Sequence, residues 1–272
     1  TGAGDLYDIL VMPTNSRFSK RIKANNFKPF SSFSHERETA SPGYYSVDLL
    51  DYGIKAELTA TERTGIHRYT FPEDDTTQIH IDLGYALNWD SPTETHLKVV
   101  NNTTIEGYRK STGWAKDQRV YFVIKVSKPF KEYKIFKNGT VTKSPVTDKD
   151  TKIVLNYDTA ANEQIVLKTG ISTANIAGAY QSLEIEAPHF DFDVIKNEAE
   201  NKWETQLRKI DITVADDTKK HIFYTMLYQS MLAPTLLSDH DGNYKGANDK
   251  TMNAKGFDRY DTFSLWDTYR AA

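Results

Sequence analysis

Hydrophobic and polar residues alternate along much of the first two thirds of the chain. Between Ile54 and Ala60, apolar side chains occupy every second position, which is the period of a half-buried strand. Further runs rich in β-branched and aromatic residues predict strands at 44–49, 66–71, 79–83, 97–100, 103–108, 120–126, 133–136, 152–155 and 164–171. Asn138-Gly139 stands between two such runs and tolerates the positive φ angles of a type I′ hairpin turn. Many short strands with no helical pattern between them predict an antiparallel β-sandwich.

The period of the pattern changes after about Pro188. Apolar residues then recur every three or four positions, which predicts a long helix with one buried face, capped by Asp191 or Asp193. The residues of that stripe are Phe192, Ile195, Ala199, Trp203, Leu207 and Ile210. The sequence therefore changes from strands to helices at about residues 175–190.

Two more helices are predicted downstream. Residues 217–233 carry a second apolar stripe, and Pro234 is expected to end that helix. Residues 237–257 are rich in Gly, Asp and Asn and are predicted as a loop, after which Thr262 or Ser264 caps a third helix. These helices leave apolar faces uncovered, and no initiator methionine or signal peptide precedes the sandwich. We therefore expect the sequence to be an internal stretch of a larger polypeptide.

Composition excludes several classes of function. Lys and Arg number 34 against 37 Asp and Glu, so the net charge of −3 argues against a nucleic-acid-binding protein. No apolar run approaches the roughly 20 residues that span a bilayer. Cysteine is absent, which excludes disulfides, thiol nucleophiles and zinc–thiolate sites. Aromatic residues make up 12% of the chain, which fits both a sugar-binding surface and a β-rich core.

Two short stretches resemble ligand-binding loops but lack the residues that such loops need. In residues 239–243, side chains with oxygen ligands occupy every second position, as in a calcium-binding loop. Tyr244 and Lys250, however, stand where an EF-hand requires Gly and Glu, so a simple turn is predicted. Residues 1–5 are glycine-rich but lack the Lys-Ser/Thr pair of a phosphate loop. The seven histidines show no metal-binding spacing, which argues against a zinc hydrolase.

Trp266 and Asp267 form the most informative pair in the sequence. A flat indole beside a carboxylate suits a sugar, because the ring covers the C–H face of the sugar and the carboxylate accepts from its hydroxyl groups. A buried Trp beside an acidic residue in the first turn of a helix explains the same pair. The residues alone leave both interpretations open and slightly favour the second.

Several segments, taken in order, resemble glycoside hydrolase family 92. Those in the first part of the chain are residues 2–5, 8–13, 33–36, 40–45, 56–61 with Arg63, 67–72, 120–122 and 127–130. Those in the last part are Phe223-Tyr224, Tyr228, Asp241-Gly242, Tyr244 and residues 263–270. Each motif is short, but the ordered set covers essentially the whole chain.

This resemblance implies a fold and an activity. The fold is mainly β with α: an antiparallel β-sandwich at residues 1–180, a helical linker at 181–215, and the first helices of an (α/α)6 catalytic barrel at 216–272. The implied activity is that of an exo-acting, inverting α-mannosidase, which removes terminal mannose from α-mannosides such as N-glycans. The family requires Ca²⁺, and its acid, base and calcium ligands are implied to lie beyond Ala272. A periplasmic or secreted location in a bacterium is implied in the same way.

Five residues are implied to line the sugar site. Trp266 and Asp267 are expected to face the terminal mannose, and Arg270 either orients Asp267 or forms an ion pair elsewhere on the barrel. Ala3 and Gly4 belong to an opening loop that leans over the active site, and the small Ala3 implies a wider leaving-group subsite. The alternative is a non-catalytic carbohydrate-binding β-sandwich, for which the gene would stop soon after the codon for Ala272.

Overall fold

The computed structural model describes residues 9–21, 29–86, 90–113 and 115–261. The strands of the first half are β1 (Leu10–Thr14), β2 (Glu38–Ser41), β3 (Tyr44–Leu49), β4 (Ile54–Ala60), β5 (Thr64–Phe71), β6 (Asp74–Asp82), β7 (Ser91–Asn101), β8 (Thr104–Thr112) and β9 (Gln118–Val126). Those of the second half are β10 (Glu132–Lys137), β11 (Thr140–Thr142), β12 (Val146–Asp148), β13 (Thr151–Thr159), β14 (Glu163–Ser172), β15 (Thr235–Leu236), β16 (Asn243–Lys245), β17 (Thr251–Asn253) and β18 (Tyr260–Asp261). The helices are α1 (Ser16–Arg21), α2 (Ile176–Glu186), α3 (Phe192–Leu207) and α4 (Asp217–Ser230).

Two antiparallel sheets form a sandwich, as the alternating pattern predicts. One sheet has the order β1-β6-β13-β10-β11, and the other has the order β12-β7-β8-β9-β14-β5-β4-β3-β2. Alternate side chains of facing strands, such as Ile81 and Ile153 in the first sheet and Phe122 and Leu167 in the second, are buried in one core. The predicted sandwich followed by the start of a helical region is therefore confirmed.

Helices cover part of the outer face of the nine-stranded sheet as well. Residues of opposite parity, Ile66 and Val166, pack against Phe192 and Ile195 of α3, while Val123 packs against α2. Helix α2 approaches the sheet closely at Gly170, where an added Cβ would stand 2.3 Å from the carbonyl oxygen of Ala179. A side chain at this position would push the helix away from the sheet.

Ionic contacts hold the beginning of α3 against the sandwich. Arg68 donates to both carboxylate oxygens of Glu57, at 2.8 and 2.9 Å, and to Asp193 at 2.8 Å. The hydroxyl of Tyr44 also donates to Glu57. Burial alone would raise the pKa of Glu57, but the hydrogen bonds from Arg68 and Tyr44 outweigh it and lower the pKa to about 2. Glu57 is therefore charged at neutral pH and fixes α3 through Arg68.

The hairpin and cap predictions agree with the structure. Asn138 and Gly139 have φ angles of 48° and 77°, and Lys137 pairs with Thr140 across the turn. Asp191 is the cap of α3, because its side chain accepts from the amide of Val194. No helix among the described residues is long and apolar enough to cross a membrane.

Other details of the prediction are wrong. The pattern does not predict α1 or α2. The buried positions of α2 are Gly178, Ala179, Ser182 and Leu183, and the first three are too small to give a clear apolar stripe. Ile210 lies beyond the end of α3 and is exposed, and α4 ends at Ser230. The predicted loop at 237–257 contains the hairpin β16–β17. The helix predicted after Thr262 lies outside the described residues, and the domain limits at 180 and 215 stay predictions.

Candidate functional site at the junction of sandwich and helices

The five residues implied by the resemblance lie outside the described part of the chain. Ala3 and Gly4 precede Ile9, and Trp266, Asp267 and Arg270 follow Asp261. The described residues also contain no group of three or more His, Asp or Glu side chains that is arranged to hold a metal ion. The sugar pocket and the calcium site therefore stay predictions.

Two grooves open where the sandwich meets the helices. The larger has a volume of about 1270 Å³ and lies between the β2–β3 turn, β4, α3 and α4. The smaller has a volume of about 520 Å³ and lies between the β4–β5 turn, α2, α3 and the segment that precedes β18. Both grooves are lined by Ala60 and Thr61, so they meet at the end of β4.

Aromatic side chains dominate the larger groove. They are Tyr44, Tyr45, Trp203, Tyr224 and Tyr228. Trp203 meets Tyr228 edge to face at 4.7 Å between ring centroids. Burial and a 2.6 Å hydrogen bond to Glu38 raise the pKa of Tyr45 to about 12, so this phenol stays protonated. Such surfaces can pack against apolar faces of a ligand.

The smaller groove is built on three polar side chains, Arg63, Glu186 and His240, which we call the junction cluster. Glu186, the last residue of α2, accepts from the Nη1 of Arg63 at 2.9 Å and contacts the Nε2 of His240 at 2.7 Å, both through Oε1. Its Oε2 accepts from the Thr61 hydroxyl and from the Arg63 amide. The Glu186 side chain is 6% exposed. Both oxygens are therefore engaged by the protein, which suits a structural carboxylate and leaves Glu186 no free oxygen for a substrate.

The junction cluster connects three separate parts of the chain. Arg63 belongs to the β4–β5 turn of the sandwich, Glu186 to α2, and His240 to the segment between β15 and β16. Arg63 also donates through Nε to the carbonyl oxygen of Ser238 at 2.8 Å. One guanidinium thus binds both the helix and the following segment to the sandwich.

A second buried acid, Asp239, lies next to the junction cluster. It is 5% exposed and accepts from the hydroxyl of Ser172 at 2.6 Å. Burial raises its pKa to about 6, and the neighbouring Asp241 acts in the same direction. A Cβ on Gly178 would stand 2.2 Å from Oδ2 of Asp239, so this carboxyl group fits against α2 only because position 178 is glycine. Asp239 lines neither groove, and we assign it to packing.

The tip of the 237–259 segment is held at a second point. Arg119, which is buried in β9, donates to the carbonyl oxygen and to Oδ1 of Asp249, at 3.0 and 2.6 Å. Lys245 of β16 forms an ion pair with Asp117 at 3.0 Å. The ends of the segment meet where β15 pairs with β18, and the segment is bound to the sandwich at the junction cluster and at the tip.

Part of this arrangement is visible in the sequence. Arg63 and Asp241-Gly242 occur in the motifs that carry the family resemblance, and residues 239–243 are predicted as a turn. Gly242 does adopt a φ of +81° there, and its amide donates to the Asp239 carbonyl oxygen. Glu186, Ser172 and the burial of Asp239 have no local signal, since their partners are 54 to 125 positions away in the sequence.

Comparisons with known proteins point to one family across the chain. A model described as the glycosyl hydrolase family 92 N-terminal domain matches residues 1–172, and one described as the glycosyl hydrolase family 92 catalytic domain matches residues 178–272. The solved structure of a family GH92 α-mannosidase from Bacteroides thetaiotaomicron is 34% identical, with a TM-score of 0.91 over 99% of this chain and 38% of its own. An inverting mannosidase of that family from the same organism is 21% identical, with a TM-score of 0.79 over 93% of this chain and 34% of its own, and shows the fold alone.

A curated relative extends the comparison to a fungus. An uncharacterized secreted glycosidase of Arthroderma benhamiae is 25% identical over 273 residues, which cover 85% of this chain and 32% of that protein. The chain thus spans about a third of the length of the relatives that it matches.

Proposed function

Because the chain belongs to glycosyl hydrolase family 92, we propose that the protein is an exo-acting, inverting α-mannosidase that removes terminal mannose from α-mannosides such as N-glycans. The observation that carries the proposal is the 34% identity to a GH92 α-mannosidase over 99% of this chain. Membership in a glycoside hydrolase family supports hydrolysis, and the mannosidases among the similar structures support mannose as the sugar.

The proposed sugar contacts rest on the residues of the last predicted helix. Trp266 is proposed to cover the apolar face of the terminal mannose, and Asp267 to accept from its hydroxyl groups. Arg270 is proposed to orient Asp267, and Ala3 and Gly4 to border the leaving group. If so, Asp267→Ala in the full-length protein lowers kcat/KM more than tenfold, because a buried charged hydrogen bond is lost. Normal kinetics for this variant would exclude Asp267 from the site.

Inversion requires a carboxylic acid and a carboxylate about 6.5–9.5 Å apart, with water between the base and the anomeric carbon. Both oxygens of Glu186 accept hydrogen bonds from the protein, and Asp239 is packed against α2. Neither of these two carboxyl groups therefore supplies the acid or the base. We propose that the acid, the base and the Ca²⁺ ligands lie in the part of the protein after residue 272. The described residues contain no group of three or more His, Asp or Glu side chains that could hold a metal ion.

The experiment uses the full-length protein with an aryl α-mannoside. Proton NMR during the first minutes is expected to show β-mannose, the inverted product, before mutarotation mixes the anomers. Dialysis against a chelator is expected to abolish release, and added Ca²⁺ to restore it. Initial α-mannose would contradict inversion, and full activity after chelation would contradict the calcium requirement. Binding of mannosides without any release would favour the carbohydrate-binding alternative.

We also propose that the protein acts outside the cytoplasm, in the periplasm or after secretion. The secreted glycosidase from Arthroderma benhamiae supports this location. Fractionation of the producing cells with an antibody against the sandwich tests it, and recovery in the cytoplasm alone would contradict it.

A further inference from the structure

We propose that the junction cluster of Arg63, Glu186 and His240 is a positioning device for the sugar site. This inference rests on the proposed function and extends it, because it assigns a role to residues that do not touch the substrate. The cluster is the point at which the sandwich, the end of α2 and the segment leading to β18 are bound together.

Glu186 has the hydrogen bonding of a structural group. Four donors from two other parts of the chain converge on its two oxygens, and the carboxylate is almost completely buried. Because a carboxylate only accepts, its contact with His240 requires a proton on Nε2, so His240 donates. A group that is saturated in this way holds its neighbours in one geometry and does not take part in proton transfer.

A short path of hydrogen bonds leads from the junction cluster to the end of β18. His240 lies two residues after Ser238, and the carbonyl oxygen of Ser238 accepts from Arg63. The Ser238 hydroxyl accepts from the amide of Arg259, and the carbonyl oxygen of Arg259 accepts from Leu237. Arg259 is two residues before Asp261, where β18 pairs with β15. The junction cluster is thus connected to the end of β18 through a few hydrogen bonds.

The proposed sugar contacts come directly after β18 in the sequence. Four residues separate Asp261 from Trp266, which Asp267 follows directly, and both are proposed to contact the terminal mannose. Sugar-binding groups need placement to within about half an ångström, which is supplied by supporting residues that are themselves locked. The Glu186 carboxylate at the centre of the junction cluster is buried and saturated, and the cluster lies next to the start of this stretch, so it meets that requirement.

The test compares four variants of the full-length protein. His240→Ala removes the donor to Glu186, and Glu186→Gln keeps the shape while turning one acceptor into a donor. His240→Gln keeps an N–H donor at similar reach. Glu57→Gln is the matched control, since Glu57 is an equally buried carboxylate held by an arginine, but it faces α3 and not the 237–259 segment.

Kinetics give the first readout. His240→Ala and Glu186→Gln are expected to lower kcat/KM on an aryl α-mannoside about tenfold, mainly through a higher KM. His240→Gln is expected to recover to within about threefold of the original value. Glu57→Gln is expected to lose a similar amount of thermal stability and to keep kcat/KM within about twofold. Equal kinetic losses in Glu57→Gln and Glu186→Gln, or an unchanged His240→Ala, would overturn the proposal.

Hydrogen exchange gives a readout that does not depend on activity. The amides of residues 262–270 are expected to exchange faster in His240→Ala than in the original protein, and to be unaffected by Glu57→Gln. If the original protein does not release mannose, the proposed function fails, and this exchange pattern still decides whether the junction cluster positions the segment. Unchanged exchange in His240→Ala would overturn the positioning role, whatever the activity of the protein.

Discussion

Regularly spaced apolar residues are buried in the sandwich but not in helix α4. In the sandwich, each alternating strand finds an apolar partner, so Ile81, Phe122 and Leu167 are fully buried. In α4 the apolar stripe is equally regular, yet the helix has no buried residue, and Ile222 and Met226 are 56% and 54% exposed. Periodicity therefore tells which face of an element tends to be buried, but it does not tell what buries it.

The largest expected effect concerns the sandwich. Phe122→Ala is predicted to lower the free energy of unfolding of the 272-residue chain by about 3–5 kcal/mol, because a fully buried ring is replaced by a cavity. Phe257→Ala removes the same ring from a position that is 55% exposed and is predicted to change this free energy by less than about 0.5 kcal/mol. Denaturant unfolding followed by circular dichroism measures both. Similar losses in the two variants would show that the burial of Phe122 does not contribute the expected stability.

An intermediate effect is expected at Asp239, which lies between the end of β14 and α2. Its pKa of about 6 in the folded protein exceeds the ordinary value of 3.8, so the folded state binds this proton more tightly than the unfolded state does. The contribution of Asp239 to the stability of the folded protein is therefore complete below pH 3.8 and is lost as the pH rises through about 6. Asp239→Asn does not titrate and keeps an acceptor for Ser172, so it is predicted to stabilise the protein by about 3 kcal/mol at about pH 7.5 and hardly at all at about pH 4.

Thermal unfolding at the two pH values measures this difference. A variant that is less stable than the original protein at about pH 7.5 would mean that the ionised Asp239 is held favourably, with Arg63 as the nearest positive group.

The smallest change in stability is expected for a substitution on α4, and it tests whether the apolar stripe of this helix is buried in the full-length protein. Met226→Ala in the 272-residue chain is predicted to change the free energy of unfolding by less than about 0.5 kcal/mol, because the side chain is half exposed. In the full-length protein the same substitution is predicted to cost about 2 kcal/mol or more, if the stripe packs on the rest of the catalytic domain. Parallel denaturation of the two lengths measures the difference. Equal changes in the free energy of unfolding in the two lengths would mean that the apolar stripe of α4 stays exposed in the full-length protein.

The parts of the fold that the sequence predicts are those with strong local patterns. The strand alternation at Ile54–Ala60, the Asn138-Gly139 turn and the Asp191 cap each depend on neighbours within a few positions. Helix α2 escapes prediction because three of its four buried residues, Gly178, Ala179 and Ser182, are small and give no clear apolar stripe.

The candidate site divides in a similar way. Arg63 stands in a motif of the family resemblance, but its partner Glu186 is 123 positions away, and a contact at that distance follows only from the packing of α2 on the sandwich. The composition of residues 239–243 predicts a turn, yet it does not reveal that Asp239 is buried under Gly178. Trp266 and Asp267 remain predictions that depend on the resemblance.

The pairing of Thr235 with Asp261 has a consequence for how related proteins can diverge. Because positions 235 and 261 are neighbours in the structure, residues inserted between them need not change the direction of the chain after Asp261. Gly256 suits such an insertion, since no atom lies within 4 Å of its would-be Cβ. Doubling the length of a flexible loop adds only about 0.6 kcal/mol of closure entropy. Homologues can therefore vary this excursion in length, and acquire new surface beside the grooves, without altering the course of the polypeptide beyond it.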